Sequence, residues 1–464
     1  VLLLVVAAIV LVELLERVGV APRLVGLHVE RLATGHASWI EAIGSMTNRA
    51  MQALDRGEMS ARLGLPTWAG ARVDAATKVA RPTTIVERAE QLRAAIAAAR
   101  PGDVIVLAPG IYRFNGAALE TPGGGGTASA PITVRADTFG TVTLEFDLLE
   151  GFLVTAPFWR FENLVIHGVC ANHAACEHAF HVVGPAHHVV IQNNQVSDFN
   201  AQVKINGRDG RFPDSGRIAD NTFVNGAPRR TDTPVTPIDL VAASDWSIEA
   251  NLIADFVKGA GDLTSYGAFA KGSGRGNRFV RNVVLCEWRL RGAPGHRVGL
   301  SFGGGGSTAA GCRDRKCVVE HEDGLMGDNL IASCSDEGIY INRSPRSRLV
   351  HNTLLDTAGV YVRYPESTAN VTANVVDGAI RAREEALVDE SKNASTGLWA
   401  LYLGLHPVRS LFADPETLDL RFRSPPKRVS GPEATRDLCN ASRPVDAAVG
   451  AFEDFAICQR DGVR

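Results

Sequence analysis

Net charge is nearly absent from this chain of 464 residues: 48 Lys and Arg stand against 51 Asp and Glu, a formal charge of −3. That balance leaves no electrostatic footprint for nucleic acid, which is excluded as a partner, while a local cationic patch for an anionic substrate stays open. Zinc-type cysteine spacing is also missing. With no Cys-x-x-Cys and no compact Cys/His cluster, the eight cysteines read as disulfides, which places the protein in a periplasmic or extracellular setting. Cys170 and Cys176 flank one loop, Cys312 and Cys317 another, Cys439 and Cys458 bracket the tail, and Cys286 and Cys334 remain, although spacing does not fix connectivity. Long apolar runs are scarce. The stretch Val1 to Val12 is wholly apolar, but Glu13 and Glu16 follow at once, so it is short for a membrane span unless Leu14 to Val20 lengthen it. It fits a signal-peptide core or a membrane anchor, without a basic n-region or a clear small-x-small cleavage site; a helix packed on the body is the competing reading.

What the chain does have is a recurring phrase: an Asn, two or three apolar residues, a few polar ones, then a Gly-led apolar strand. It occurs at Asn163, Asn194, Asn221, Asn251, Asn282, Asn329, Asn352 and Asn374, in steps of 31, 27, 30, 31, 47, 23 and 22 residues. A period of roughly 20–50 residues marks stacked units, none of which buries its apolar face alone. Each unit reads as short strands joined by Gly, Asn and Asp turns, which predicts a parallel β-helix. The 46 glycines suit a fold of tight turns. The repeat asparagines are expected to stack at the turns and bond one another and the backbone. The 47-residue step predicts an inserted loop beside the binding face.

Ahead of the repeats, residues 21–80 look helical and loosely amphipathic and are expected to form a spacer. Ala89 to Ala99 then reads as a helix covering the open end of the strand stack. The phrase "LRAAIAAARPGDVIVLAPGIY" at 92–112, with "APITVRAD" at 130–137, resembles the N-terminal cap and first coil of right-handed parallel β-helix proteins of the pectin-lyase type. More narrowly it is similar to the chondroitinase B and alginate lyase family of polysaccharide lyases, and "VDAAVGAFED" at 445–454 resembles β-helix endings. The resemblance covers roughly residues 83–454.

Aligned strands place side chains in outward columns about 4.8 Å apart. The inward residues are then Val182, Ile205, Leu240, Ala270, Phe302, Ile341 and Val362, all apolar, and a one-residue slip would bury charges. One outward column becomes His181, Lys204, Asp239, Phe269, Ser301, Tyr340, Tyr361, and the next Val183, Asn206, Val241, Lys271, Gly303, Asn342, Arg363. Polar, cationic and aromatic side chains on successive rungs suit an extended acidic polysaccharide; the competing reading is ordinary solvation. His181, Lys204, Asn206, Asp239, Ser301, Asn342, Tyr361 and Arg363 are the candidate substrate contacts.

A uronate lyase needs a base for the proton alpha to the carboxylate, a group that neutralises that carboxylate, and an acid for the leaving oxygen. The resemblance implies Lys271, in "Phe-Ala-Lys-Gly" at 269–272, as the base. The family's acidic Arg position holds Gly303 instead, so Arg289, Arg291, His296, Arg297 or Tyr340 must replace it. Arg297 and Tyr340 are the candidates carried forward with Lys271. The resemblance also implies calcium, but Thr264 and Tyr266 stand at its ligand places and Asp262 is the nearest carboxylate, so no metal ligand is assigned.

Gly299-Leu300-Ser301-Phe302-Gly303 matches G-x-S-x-G, a pattern that means a nucleophile only at a strand-to-helix elbow. Gly303 to Gly306 reads as a loop tip. Asp336 and Glu337, with Asp239, invite a glycosidase reading, against an expectation that the pair lies on an exposed turn. The sequence thus predicts an all-β solenoid with a signal peptide or anchor at 1–20, a helical spacer at 21–80, a β-helix at 81–425 and a cap or tail at 426–464, as a monomer. The function expected is uronate polysaccharide cleavage by β-elimination. Non-catalytic glycan or protein binding in the cell envelope, and glycoside hydrolysis, remain the alternatives.

Overall fold

Short strands, most of two to six residues, stack into three all-parallel sheets of 12, 10 and 11 strands, wound as a parallel β-helix. The computed structural model describes residues 10, 19–57, 62, 64–73, 83–121, 124–304, 306–431 and 435–461. Most of the apolar N-terminal stretch falls outside these residues, and among the described ones no helix is long and apolar enough to cross a membrane.

Alternation decides which side chains go inside. Val182, Ile205, Leu240, Ala270, Phe302, Ile341 and Val362 are all fully buried, in the register read from the sequence. Parallel pairing leaves no room for slippage here, because a shift by one residue would exchange this set for Lys, Asp and Tyr.

The turns explain the asparagines. From Asn194 through Asn221, Asn251, Asn282, Asn329, Asn352 and Asn374, each side-chain amide donates to the carboxamide oxygen of the next at 2.9 to 3.1 Å. The same oxygens accept the backbone N–H one rung below. Asn393 extends the ladder by one rung beyond the repeat read from the sequence. Asn163 is not in it. Its φ of 62° puts it in the left-handed slot just before the ladder position, which Leu164 occupies. Both neighbouring slots favour Asn, one for its amide and one for its tolerance of left-handed backbone.

The N-terminal region is helical as expected: α1 spans Pro22–Ala33 and α2 Ser38–Arg56. Neither is a free spacer. Arg23 and Asp55 pair at 2.6 Å with both side chains fully buried, and Arg56 reaches Glu287 at 2.5 Å and Asp356 at 3.0 Å on the solenoid. Residues 64–73 continue across the 11-stranded sheet, where the N–H groups of Ala71 and Arg72 donate to Thr222 and Asn193. Next, α3 (Ala89–Ala98) buries Leu92 and Ile96 over the open end of the coil, as a cap must. The tail packs Phe452, Phe455 and Leu438 onto the last turns.

All eight cysteines pair, as Cys170–Cys176, Cys286–Cys334, Cys312–Cys317 and Cys439–Cys458. The long step between Asn282 and Asn329 holds two excursions. One, around residues 303–320, bends back beside the 10-stranded sheet, where Arg313 pairs with Asp214 at 2.5 Å and stacks over Phe212.

Candidate functional site

The 10-stranded sheet carries the polar columns. Its last nine strands are β1 (Glu150–Val154), β2 (His178–Val183), β3 (Ala201–Asn206), β4 (Ile238–Val241), β5 (Thr264–Lys271), β6 (His296–Phe302), β7 (Ile339–Asn342), β8 (Gly359–Arg363) and β9 (Ala379–Arg383). Pairing runs His181–Lys204–Asp239–Phe269–Ser301–Tyr340–Tyr361–Arg381, the column expected, extended by one residue.

Alternation fails at one point, with consequences. In β2 two consecutive residues, Ala179 and Phe180, are buried, so His178 and His181 come to the same side with ring centroids 5.0 Å apart. In β5 Gly267 and Ala268 repeat the break and bring Tyr266 edge-on to Phe269 at 5.6 Å. This adds a third outer column, with Glu150 beside His178, that strict two-residue periodicity hides.

At the β1–β5 end the charged groups converge. His181 Nδ1 lies 2.6 Å from Glu150 Oε1 and its Nε2 lies 2.7 Å from Asn206 Oδ1, while the Asn206 amide donates to Gly207. The bond from His181 holds the Glu150 pKa down. Burial, with help from His181 and Lys204, pushes His178 down to about 4, so its ring is neutral. Burial raises Glu177 instead. Lys204 Nζ pairs with Asp239 Oδ2 at 2.8 Å.

Lys271 stands one rung on, with its Nζ 4.4 Å from the Phe269 ring centroid. Burial lowers its pKa; Asp239 opposes this, Lys204 reinforces it and Glu320 opposes it. The ammonium is thereby shifted toward the neutral amine a general base requires. The 303–320 excursion walls this side, with Glu320 accepting from the Gly272 N–H and Ser307.

At the β6–β9 end a cavity of about 710 Å³ lies between the sheet and α1. Tyr340 and Tyr361 stack in it at 5.6 Å, and the Arg381 guanidinium sits 4.6 Å over Tyr361. Arg381 also pairs with Glu337 at 2.6 Å. Arg31 of α1 donates to His296 Nε2 at 2.7 Å, which leaves Nδ1–H to donate to Asp336 at 3.0 Å. Burial opposes charge on Asp336, but hydrogen bonds from Glu337 and His296 overcome it and hold its pKa well down. Burial, with the Asp336 charge beside it, raises Glu337 well above an ordinary carboxyl, against the pull of Arg381. Burial pushes Tyr340 up to about 12.

Several expected residues are placed differently. Arg297 is fully buried, paired with Glu287 at 3.1 Å and donating to the carbonyls of Ala293, Pro294 and Gly295, so its guanidinium anchors a loop and is withheld from the groove. Ser301 is buried too, its hydroxyl donating to the Gly303 carbonyl at 2.7 Å, and it is neither a surface contact nor a nucleophile at an elbow. Asp336 and Glu337 are not on an exposed turn; they line the cavity. Asp239 and Asn342 lie on the outer face but are largely covered, Asn342 donating to the Tyr340 hydroxyl at 2.6 Å. His181, Lys204, Asn206, Lys271, Tyr340, Tyr361 and Arg363 are half-buried, in reach of a ligand on this face.

The calcium places do not form an oxygen cage. Asp262 is exposed and holds the Lys258 ammonium at 2.7 Å, and calcium takes about six to eight oxygens. Among the described residues the donors that do converge are Glu150, His178 and His181, within 4.8 Å of one another, an imidazole-rich set unlike a calcium shell. The sequence signal was present in Glu177-His178 and His181, but the three-residue spacing argued against one face.

No family model matches the chain, and no curated protein matches it. Solved structures do. The pectate lyase Pel9A superposes with a TM-score of 0.55 at 14% identity, covering 81% of this chain and 97% of its own. A PL6 family polysaccharide lyase from Pseudopedobacter saltans gives 0.41 at 13% identity, covering 80% and 99%. An alginate lyase from Paenibacillus sp. str. FPU-7 gives 0.34 at 15%, covering 67% and 99%. At these identities the pectate lyase match establishes the pectin-lyase-like β-helix fold, and function rests on the site.

Proposed function

We propose that the protein is a polysaccharide lyase that cleaves an acidic, uronate-containing polymer by β-elimination along the outer face of the 10-stranded sheet. One observation carries this reading. Lys271 stands mid-face with its pKa lowered by burial, among Lys204, His181 and the tyrosines of the same face.

In this reading the neutral Lys271 amine takes the proton alpha to the uronate carboxylate. Lys204, paired with Asp239, and His181, paired with Glu150, are the groups assigned to offset the carboxylate charge that builds up in the enolate-like transition state. Tyr340, whose high pKa keeps its hydroxyl protonated, supplies the proton to the leaving oxygen. It stands two rungs on, about 10 Å along the axis, so the sugar ring and its leaving oxygen have to lie between the two groups. The pectate lyase whose fold the chain shares is a polysaccharide lyase, which agrees with this chemistry. The four disulfides agree with a protein working outside the cytoplasm, periplasmic or extracellular.

Hydrolysis is favoured less. Asp336 and Glu337 are hydrogen-bonded to each other, whereas paired glycosidase carboxylates stand about 5 to 9.5 Å apart with the sugar between them. The test is a panel of alginate, polygalacturonate, chondroitin, dermatan and heparan, followed by ultraviolet absorbance of unsaturated uronate. Absorbance should rise on one polymer and vanish in Lys271→Ala. New reducing ends without absorbance would replace elimination by hydrolysis, and silence in both assays would leave a binding protein.

A further inference from the structure

The outer face of the 10-stranded sheet is closed at one end. Beyond Lys271 the aromatic residues Phe269, Tyr266, Tyr340 and Tyr361 form a strip that leads up the axis and ends in the cavity under α1. From the Phe269 rung to the Arg381 rung there are four strand steps, roughly 19 Å. There the chain crosses the face. Gly19 and Val20 accept hydrogen bonds from Arg381 at 2.5 Å and Tyr402 at 2.9 Å, and Arg31 reaches down to His296. The wall is held from behind by Arg23, whose guanidinium donates to the Cys334 carbonyl and to Asp55 with no exposure to solvent.

The lining selects for charge. Arg31, Arg363, Arg381 and Arg383 contribute four guanidinium groups. Asp336 and Glu337 are the carboxyls of the lining; Glu337 pairs with Arg381 at 2.6 Å and Arg363 with Glu384 at 2.7 Å, so the four guanidinium groups outnumber the three carboxyls that face them. Guanidinium groups match carboxylates in a planar fork, and the stacked Tyr340 and Tyr361 rings offer a platform for a sugar face. At about 710 Å³ the cavity suits a short oligosaccharide and cannot pass a continuing polymer through α1.

We infer that the cavity between α1 and the β6–β9 strands is a terminal subsite that receives the end of an anionic oligosaccharide chain, so that the protein acts from chain ends. The inference rests on the proposed elimination for its catalytic half; the binding half stands on the cavity alone.

The full-length protein is incubated with sodium alginate and with polygalacturonate, and viscosity and product size are followed beside absorbance from the first minutes. Expected is one small product size from the start, with viscosity falling little while absorbance rises. In Arg383→Ala, an exposed position on the rim, KM for the uronate trimer should rise at least tenfold with kcat changed less. A broad ladder of products with a steep early viscosity loss overturns the inference and leaves the elimination intact. If no polymer is cleaved, the proposed reaction falls, and the subsite is judged by calorimetric titration of trigalacturonate and triguluronate. Binding lost in both Arg383→Ala and Tyr361→Ala supports the subsite; no binding, or binding unchanged in both, overturns it.

Discussion

In the proposed elimination Lys271 is the base, and its environment sets a sign. Burial disfavours its ammonium, so the amine becomes neutral at a lower pH than an ordinary lysine does. A neutral base is required, so kcat/KM on the responsive polymer should rise with pH through that lowered pKa. Lys271→Arg should abolish the rise: a guanidinium keeps the charge but stays protonated at every accessible pH. The expected loss is about 10³-fold, the scale of a positioned general base. The measurement is a pH profile of wild type and variant with binding of the uncleaved polymer followed in parallel. Retained turnover in Lys271→Arg would remove this lysine from the proton transfer. At the same scale, Lys271, Tyr340 and Tyr361 were legible because each follows from the alternation of one strand. Arg297 and Ser301 were misplaced for a reason alternation cannot see: loop carbonyls and a turn consume their polar atoms. His178 and Glu150 were missed because the two consecutive buried residues of β2 shift the face.

Among elements, the turn ladder and the N-terminal helices show what a repeat can and cannot tell. Asn282 receives the N–H and the amide of Asn251 and donates to Asn329 and the Ile248 carbonyl, all buried. Asn282→Ala therefore strands the Asn251 N–H and one Asn251 amide hydrogen below it, while Asn329 Oδ1 keeps the Asn282 backbone N–H, and each buried unpaired group costs about 1–3 kcal/mol. A total loss near 3 kcal/mol is expected, read as a lowered midpoint in denaturant, whereas removing the solvent-exposed Asn172 side chain should cost far less. Equal effects of the two substitutions would make the ladder incidental. The ladder was visible in the sequence as a period; its Asn163 misassignment was not, since left-handed and ladder slots accept the same residue type. The docking of α1 and α2 had no periodic signal at all. It depends on buried pairs between residues some 230 to 330 positions apart, such as Arg56 with Glu287 and Arg23 with Asp356, which no local pattern records.

For the whole molecule, three buried neutral histidines spread along the solenoid couple its stability to pH. Burial pushes His178 to about 4, His321 to about 3 and His351 to about 4. Each titrates near 6.5 in the unfolded chain. Between those limits the unfolded state binds more protons than the native state, so stability falls as pH falls from about 6.5 toward 3. Each ring contributes on the order of 3 to 5 kcal/mol once its window is crossed, His321 the most. Glu337 works the other way: its raised pKa makes its contribution present in acid and lost as pH rises through the folded value. With Asp328, which burial raises to about 7, it offsets two of the three rings across their window, because both unfolded pKa values lie near its lower edge, and the slope that remains still falls toward acid. His321 is the sharpest case. Its ring lies flat on Phe302 with centroids 4.3 Å apart and accepts from the Asn277 amide at Nε2, the atom a second proton would need; Asp323 favours that proton, but burial outweighs it. Melting temperature should therefore drop steadily from pH 7 to pH 4, and His321→Phe, which keeps the stack and removes the titration, should flatten the lower part of that curve. Calorimetric scans across the interval decide it: a melting temperature independent of pH, or one equally steep in His321→Phe, would mean that these rings are protonated at little cost and that the interior of the coil admits charge.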